Sequence, residues 1–332
     1  MMSAVGDAVH VLPVINAIKR RNPESRITWV LQPGPAALVR GHKSVDEIIR
    51  FDRTNGLRGF GETIRELRSR EFDLLIDLQV YFKAGVITAL SGVTRRLGFD
   101  RARARDANWL FTTETVPAHP VQHVQDQYFE FLKALDIDPE PVEWHLGPWG
   151  DERNFQHEFR RKFDRPVASI VVATSKPAKD WMPDRWARVA DILWSDYGMQ
   201  PVLVGGTSDR EVEAARVIIE ESSGNPYSAL GSGLRPLVSI LDASDLVLAP
   251  DTGPLHMAVA VGKPVISLIG YTDPRRTGPY RSSADLIIDA FHEPGESGPV
   301  TMETRDDRMK KISVSDVESM LARWSERYRG KS

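Results

Sequence analysis

The sequence predicts an α/β protein built from two doubly wound domains. Apolar strand-like runs alternate with amphipathic helix-like segments along the chain, and this alternation implies parallel sheets with right-handed crossovers. The length of 332 residues also exceeds the usual size of one compact core. Finally, each half carries a turn into a helix that contains Gly and Asp, at Ser3–Pro13 and Ala249–His256.

The first half shows strand and helix periodicities in alternation. The predicted helices are Val9–Arg21, Leu57–Arg70, Tyr81–Ser91 and Val121–Leu135, and the predicted strands are Arg26–Leu31, Phe72–Leu78 and Arg95–Phe99. Asp136–Gly150 holds three prolines and two glycines and has little periodicity. We therefore predict a linker between the two domains there.

The second half repeats the same rhythm. The predicted strands are Pro166–Ala173, Pro201–Val204, Leu246–Ala249, Val265–Ile269 and Leu286–Ile288. The predicted helices are Pro183–Tyr197, a helix from Ser208, Leu234–Asp242, Pro254–Val261 and Ser313–Arg327. Proline is tolerated in a first helical turn, as at Pro183, and Ser313 is a favourable N-cap for the last helix.

The chain lacks an expected element at its start. A doubly wound domain usually opens with a central apolar strand that leads into its first loop, but only Met1-Met2 precede the loop at Ser3. Loss of a central strand leaves its neighbours with unpaired backbone groups, which are costly when buried. We expect the first strand of the N-terminal domain to be missing, and we favour a natural start upstream.

Composition excludes several classes of function. Without cysteine there is no disulfide, no thiolate zinc site and no Cys nucleophile. The net charge of −3 and the pI of about 6.3 do not favour bulk nucleic-acid binding. The motifs of dinucleotide-binding, P-loop, zincin and serine hydrolase families are absent. No apolar run approaches the ~20 residues of a membrane span, and no signal peptide opens the chain, so we expect a cytoplasmic protein.

The segment Ala249–His256 predicts an anion site. Free N–H groups at Thr252 and Gly253, where a helix begins, can hold a diphosphate, and Asp251 can orient it or a sugar hydroxyl. His256 lies one turn into the helix, near any bound phosphate. The alternatives are an ordinary helix cap and a structural hydrogen bond of the histidine.

Two further turns in the second half follow strands. Thr174, Ser175 and Lys179 suit phosphate oxygens, and Lys179 is the best candidate to neutralise a leaving diphosphate, although a solvated lysine is the commoner case. The turn containing Gly206 and Asp209 allows close approach of a base or ribose, and a plain turn explains it nearly as well.

The first half supplies a candidate base and a basic cluster. Asp7 follows Gly6 at the entry to a helix, and it is either a general base at the binding cleft or an N-cap. A basic group at the binding cleft suggests an anionic acceptor, whereas the alternative is a solvated loop. The cluster includes Lys83, Arg101, Arg103 and Arg105.

Taken together, four motifs in order resemble glycosyltransferase family nine, the bacterial heptosyltransferases of lipopolysaccharide core synthesis. They are S-A-V-G-D-A-V-H-V-L-P, D-L-L-I-D-L-Q with T-R-R-L-G-F-D-R, A-T-S-K-P-A-K-D-W-M-P-D-R-W, and A-P-D-T-G-P-L-H-M-A-V-A-V-G-K-P-V-I-S-L-I-G. The sequence departs from the family pattern at its missing first strand, and by having no Cys before the stretch at Arg308, Met309 and Ile312.

The resemblance implies a GT-B fold with facing Rossmann-like domains: an acceptor domain over 1–150, a donor domain over 151–312, and a terminal helix over 313–332 that packs back on the first domain. It implies inverting transfer of heptose from an ADP-heptose to a lipid A–Kdo or heptosylated core acceptor, with no obligatory metal or cofactor. By position, Asp7 resembles the base and Lys179 the residue on the leaving phosphate. Asp209 or Glu211 would meet the ribose.

Two other functions remain open from the sequence. A nucleotide-sugar isomerase of the same architecture would consume the donor without an acceptor. A non-catalytic nucleotide-sugar binding protein would bind the donor without turnover. A lipid acceptor would imply peripheral membrane contact through the basic loop.

Overall fold

A computed structural model describes residues 2–330 and divides them into two compact units. Unit 1 runs to Pro120 and resumes over Val124–His145, whereas unit 2 comprises Val121–His123 and everything described from Leu146 onward. The change of unit near residue 146 lies inside the predicted linker. Within the described range, no helix is both long and apolar enough to cross a membrane.

Unit 1 contains five helices and five short strands in the part of the chain that is described. In chain order they are α1 Val5–Arg21, β1 Thr28–Leu31, α2 Pro33–Val39, β2 Glu47–Arg50, α3 Gly56–Arg68, β3 Leu75–Ile76, α4 Phe82–Leu90, β4 Arg96–Gly98, β5 Glu114–Thr115 and α5 Val124–Ala134. The short elements α2, β2 and β5 were not predicted. The strand predicted at Phe72–Leu78 shrinks to the two residues of β3.

The strands of unit 1 form two separate parallel sheets. β1 pairs with β2, with Thr28 opposite Glu47, and β3, β4 and β5 pair in that order. Between residues 2 and 330 no backbone ladder joins β1 to β3. The described strands of unit 1 therefore do not form one continuous doubly wound sheet.

Unit 2 contains one continuous sheet of six parallel strands. Its elements in the described chain are α6 Glu152–Arg160, β6 Val167–Val171, α7 Pro183–Ser195, β7 Gln200–Val204, α8 Asp209–Glu221, β8 Tyr227–Ser228, α9 Leu234–Asp242, β9 Leu246–Pro250, α10 Gly253–Ala260, β10 Val265–Ile269, α11 Pro274–Thr277, β11 Ile287–Asp289 and α12 Val314–Arg327. The strand order is β11-β10-β9-β6-β7-β8. The order reverses between β6 and β9, and ligands of doubly wound folds bind at such a switch point.

The sequence explains the strands and the helix starts of unit 2. β6, β7, β9 and β10 are buried along their whole length, as expected for strands covered on both faces. Capping boxes start two of the helices: Ser208 and Glu211 cap α8, and Ser313 and Asp316 cap α12.

The terminal helix contributes to the core of unit 2. Val317, Leu321 and Trp324 of α12 are buried in the core cluster of unit 2, together with Trp181 and Trp186. The apolar stripe of this helix is therefore buried within unit 2, against the sheet and α7. Residues 331 and 332 of the predicted 313–332 segment lie outside the described residues.

Candidate active site

The switch point of unit 2 brings together a lysine and a carboxylate from two loops. Lys179 ends a 3₁₀ turn after β6, and Asp251 lies between β9 and α10. The Nζ of Lys179 donates to Oδ2 of Asp251 at 2.7 Å, and the two side chains are only 19% and 7% exposed. Because β6 and β9 are neighbours in a parallel sheet, the loops after them meet at one edge, which explains the contact.

Asp251 is held ionised by its surroundings. Burial favours the neutral form of this carboxyl, but His256 and the Lys179 ammonium outweigh that effect and hold the pKa of Asp251 well below its usual range. His256 is buried on the first turn of α10, and its Nε2 lies 3.8 Å from Oδ1 of Asp251. A lasting negative charge beside a lysine fixes the ammonium in place for a bound anion.

Two threonines that were not predicted from the sequence also contact this carboxylate. Thr272 and Thr277 donate from their Oγ1 atoms to Oδ2 of Asp251 at 2.5 and 3.0 Å. Both follow β10, the other neighbour of β9 in the sheet. The available signal was the turn motif Y-T-D-P directly after a buried strand, in which Asp273 accepts from the backbone of Arg275 at the start of α11.

The loop after β6 separates the predicted phosphate ligands into two groups. Thr174 is buried, and its backbone N–H and hydroxyl both donate to Asp180. Burial raises the pKa of Asp180, and these bonds and the charge of Arg210 offset only part of that effect. Ser175, in contrast, is exposed. Thr174 therefore shapes the loop, whereas Ser175 is accessible to a ligand.

A second lysine, Lys176, lies near the same aromatic ring as Lys179. The Nζ atoms of Lys176 and Lys179 lie 5.4 and 6.0 Å from the ring centre of Tyr271. At the start of α10, Thr252 is the N-cap residue and Gly253 the first helical residue. Backbone N–H groups of a helix start point outward and favour anions, so these two residues and the lysines suit a diphosphate.

The turn after β7 is organised by Glu211. This carboxylate accepts from the backbone of Gly206 at 2.6 Å and from the backbone and hydroxyl of Ser208. Burial opposes ionisation of Glu211, but these bonds outweigh it and lower the pKa of its carboxyl. A Cβ at Gly206 would lie 2.8 Å from Glu211 Oε2, so a larger residue there would displace this carboxylate. Asp209, in the first turn of α8, is exposed.

In unit 1, Asp7 lies in a helix instead of the predicted loop. α1 begins at Val5 with Ala4 as its N-cap residue, so Asp7 occupies the first turn and is not the cap. A carboxylate is favourable in a first turn because the helix end is partly positive. The hydroxyl of Tyr128 on α5 donates to Oδ1 of Asp7 at 3.3 Å. His10, three residues on, is buried against Gln125.

The basic cluster of unit 1 is divided by its internal contacts. Arg103 donates to Asp100, Glu130 and the carbonyl of Pro117, so its guanidinium is occupied within the unit. Lys83, Arg101 and Arg105 are exposed, and Arg101 lies 4.9 Å over the ring of Trp109. Arg103 thus differs from the other predicted acceptor residues in having carboxylate partners within unit 1. A partly buried guanidinium needs such partners of opposite charge. Among residues 2–330, no group of three or more His, Asp or Glu is placed to hold a metal ion.

Known proteins resemble the chain over most of its length. The family model "Glycosyltransferase family 9 (heptosyltransferase)" matches residues 61–297. The lipopolysaccharide core heptosyltransferase OpsX of Haemophilus influenzae is 28% identical over 293 residues, which cover 88% of this chain and 83% of OpsX. A glycosyl transferase family 9 structure from Veillonella parvula has a TM-score of 0.83 at 21% identity, covering 97% and 96% of the two chains. The Escherichia coli heptosyltransferase WaaC with ADP has a TM-score of 0.77 at 20% identity, covering 98% and 97%. These structural likenesses confirm the predicted α/β fold of the GT-B type.

Proposed function

Because the chain belongs to glycosyltransferase family 9, the heptosyltransferase family, we propose that it transfers heptose from ADP-heptose to the inner core of lipopolysaccharide. The acceptor is lipid A–Kdo or an already heptosylated core. One observation carries the proposal: the ion pair of Lys179 with the buried Asp251 lies beside a helix start at the switch point of unit 2. The name of the OpsX relative and the ADP in the WaaC structure support it.

The donor binds at this edge of unit 2. Lys179 neutralises the diphosphate, and the N–H groups of Thr252 and Gly253 donate to its oxygens. Asp251 holds Lys179 and orients the sugar, with His256 beside it. Ser175 contributes a hydroxyl.

The ribose and base of the donor bind beside the turn after β7. Gly206 keeps this turn open to a ligand, because it carries no side chain. Asp209 or Glu211 accepts from the ribose hydroxyls. Glu211 already holds the turn through Gly206 and Ser208, so its ribose contact requires one of these bonds to be shared.

The chemical step is an inverting substitution at the anomeric carbon. The acceptor oxygen forms a bond to that carbon while the bond from the carbon to the diphosphate oxygen breaks, and ADP leaves with the electron pair. Asp7 takes the acceptor proton. Lys179 and the α10 N–H groups stabilise the negative charge that develops on the diphosphate. Arg101, Arg105 and Lys83 attract the anionic acceptor.

The test is the effect of Asp7→Asn on ADP release measured with and without acceptor. Loss of a general base typically lowers turnover 10²–10⁴-fold, so we expect a fall of this size with unchanged affinity for ADP by calorimetry. Glu24→Gln, an exposed carboxylate just beyond α1, is the control and should leave turnover intact. Normal turnover of Asp7→Asn would remove Asp7 from the reaction. Donor consumption without any acceptor would favour an isomerase, and donor binding without turnover a binding protein.

We also propose a cytoplasmic enzyme that touches the membrane surface through α4 and the 3₁₀ turn at Asn108–Phe111. Tyr81, Phe82 and Leu110 are about half exposed or more, and Phe82 packs against Phe111 across the two segments. Lys83 and Arg101 flank these apolar side chains. Apolar and aromatic residues with adjacent basic ones are typical of segments that lie in a membrane interface.

Vesicle sedimentation tests this contact. The natural chain should bind vesicles containing anionic lipid, and the double variant Phe82→Ser/Leu110→Ser should lose most of that binding. Val212→Ser removes an equally exposed apolar side chain from α8 in unit 2 and serves as the control. Equal binding by the double variant would refute the contact.

A further inference from the structure

Two adjacent arginines of α11 differ in their partners. Arg275 donates to Oδ1 and Oδ2 of Asp273 at 3.0 and 2.7 Å, and the side chain of this aspartate is fully buried. Across residues 2 to 330, by contrast, the Arg276 side chain makes no ion pair or hydrogen bond, and its Nε is buried without a partner. A guanidinium that is partly removed from water and lacks an acceptor favours the binding of an anion.

The backbone places Arg276 next to the site around Asp251. Thr277, the following residue, donates from its Oγ1 to Oδ2 of Asp251 at 3.0 Å and to Oγ1 of Thr272 at 3.1 Å. The same carboxylate oxygen accepts from Nζ of Lys179. Consecutive Cα atoms are about 3.8 Å apart, and an arginine side chain is longer than this spacing. The guanidinium of Arg276 can therefore reach an anion that is bound beside Lys179.

The turn that carries Arg276 is held by its own backbone. The N–H groups of Arg276 and Thr277 donate to the carbonyl of Asp273 at 3.0 and 3.2 Å, and Gly278 donates to the carbonyl of Pro274 at 2.8 Å. A Cβ at Gly278 would lie 2.5 Å from that carbonyl oxygen, so glycine permits this close approach. Because the turn is already ordered, a ligand contact to Arg276 costs less conformational entropy.

Three other cations in the turns after β6, β7 and β10 are paired with carboxylates. The pairs are Lys179 with Asp251, Arg210 with Asp180, and Arg275 with Asp273. Each pair carries little net charge, whereas a diphosphate carries more than one negative charge. Balancing that charge requires a cation that is not already paired with a carboxylate, and Arg276 meets this requirement.

We propose that Arg276 binds the diphosphate of the nucleotide-sugar donor and, together with Lys179, balances the negative charge that develops there as the bond to the sugar breaks. A planar guanidinium donates two parallel hydrogen bonds to phosphate oxygens, which suits this class of ligand. The inference rests on the proposed function, because it adds a contact to the same donor site. A carboxylate of the acceptor is the alternative ligand, and the experiment distinguishes the two.

The experiment measures the affinities of ADP and adenosine by calorimetry for the natural chain and three variants. Loss of a hydrogen bond to a charged group typically weakens binding about tenfold or more. Arg276→Gln should therefore bind ADP at least tenfold more weakly and adenosine with unchanged affinity. Arg276→Lys keeps the charge but not the planar fork, so its ADP affinity should be intermediate. Arg188→Gln removes an exposed arginine of α7, and thus the same charge, and serves as the control.

The outcomes separate the alternatives. Unchanged ADP affinity of Arg276→Gln overturns the proposal, and a raised KM for the acceptor in that case assigns Arg276 to the acceptor. An equal loss of ADP affinity in Arg188→Gln would be an effect of net charge, and an equal loss of adenosine affinity in Arg276→Gln would be a disturbed fold. Both results also overturn the proposal.

The natural chain tests the proposed function separately. If it binds ADP and turns over while Arg276→Gln behaves identically, only the contact to Arg276 is refuted. If the natural chain does not bind ADP, the proposed function and this contact are both refuted.

Discussion

The sharpest quantitative prediction concerns the substitution Lys179→Ala. Removing one partner of a buried ion pair costs about 3–5 kcal/mol, because the other charge stays buried. Lys179 is partly exposed, however, and two threonine hydroxyls remain on Asp251. Each such bond contributes about 1 kcal/mol. We therefore expect unit 2 to lose about 2 kcal/mol of its free energy of unfolding at pH 7.

The assay is urea unfolding followed by tryptophan fluorescence, since Trp181 and Trp186 lie in the core of unit 2. Lys176→Ala is the matched control, because it removes an exposed lysine from the same loop and should change stability by less than about 0.5 kcal/mol. Asp251→Asn and the double variant with Lys179→Ala complete a cycle, whose coupling energy isolates the pair. Equal stability of the two lysine variants would refute the reasoning.

The pH dependence of the same variant has a definite sign. The folded pKa of Asp251 lies below its unfolded value, so the carboxylate contributes stability above the unfolded pKa and loses it as the pH falls. Lys179→Ala raises the folded pKa of Asp251 toward its unfolded value, so the loss still begins at the unfolded pKa but is complete at a higher pH. The difference in free energy of unfolding between the natural chain and the variant should have its largest value above about pH 5. It should decrease as the pH falls below the ordinary carboxyl pKa of about 3.9.

Three further predictions follow from single contacts. Thr272→Val removes a donor from Asp251 and should cost about 1 kcal/mol in urea unfolding, with an acid-induced loss that is complete at higher pH. Glu211→Gln weakens the capping box of α8 and should cost about 1 kcal/mol, and because the folded pKa of Glu211 is lowered, the difference from the natural chain should disappear as the pH falls below about 4. Arg103→Ala should destabilise unit 1 by about 3 kcal/mol, since it leaves two carboxylates without their partner, whereas Arg101→Ala should leave stability unchanged and raise KM for the acceptor.

The fold could be predicted where periodicity is strong. Burial and helix capping leave local signals in a sequence. These signals predicted the apolar strands β6, β7, β9 and β10 and the capped start of α12. The packing partner of α12 could not be predicted in the same way. An apolar stripe indicates that one face of a helix is buried, but it does not indicate which element covers that face. The length of the strand at β3 in unit 1 was overestimated for a related reason. Its two-residue pairing depends on neighbouring strands, and a local sequence pattern contains no information about them.

The sequence predicted which of the candidate site residues lie in turns that follow strands. Lys179 and Asp251 lie in such turns, and the sheet order brings them together. Thr272 and Thr277 were missed because threonine after a strand is common, and only strand adjacency reveals their contact with Asp251. A sequence shows the charge of Arg103 but not the carboxylates that pair with it, and its contact with an acceptor stays a prediction.

The position of α12 bears on how the protein is made. Its side chains Val317, Leu321 and Trp324 close a core whose other tryptophans, Trp181 and Trp186, lie far earlier in the chain. At the usual rate of translation, α12 is synthesised on the order of ten seconds after the tryptophans that it covers. Unit 2 thus completes its core only after α12 has been synthesised, and a chain truncated before α12 exposes an apolar, aggregation-prone surface.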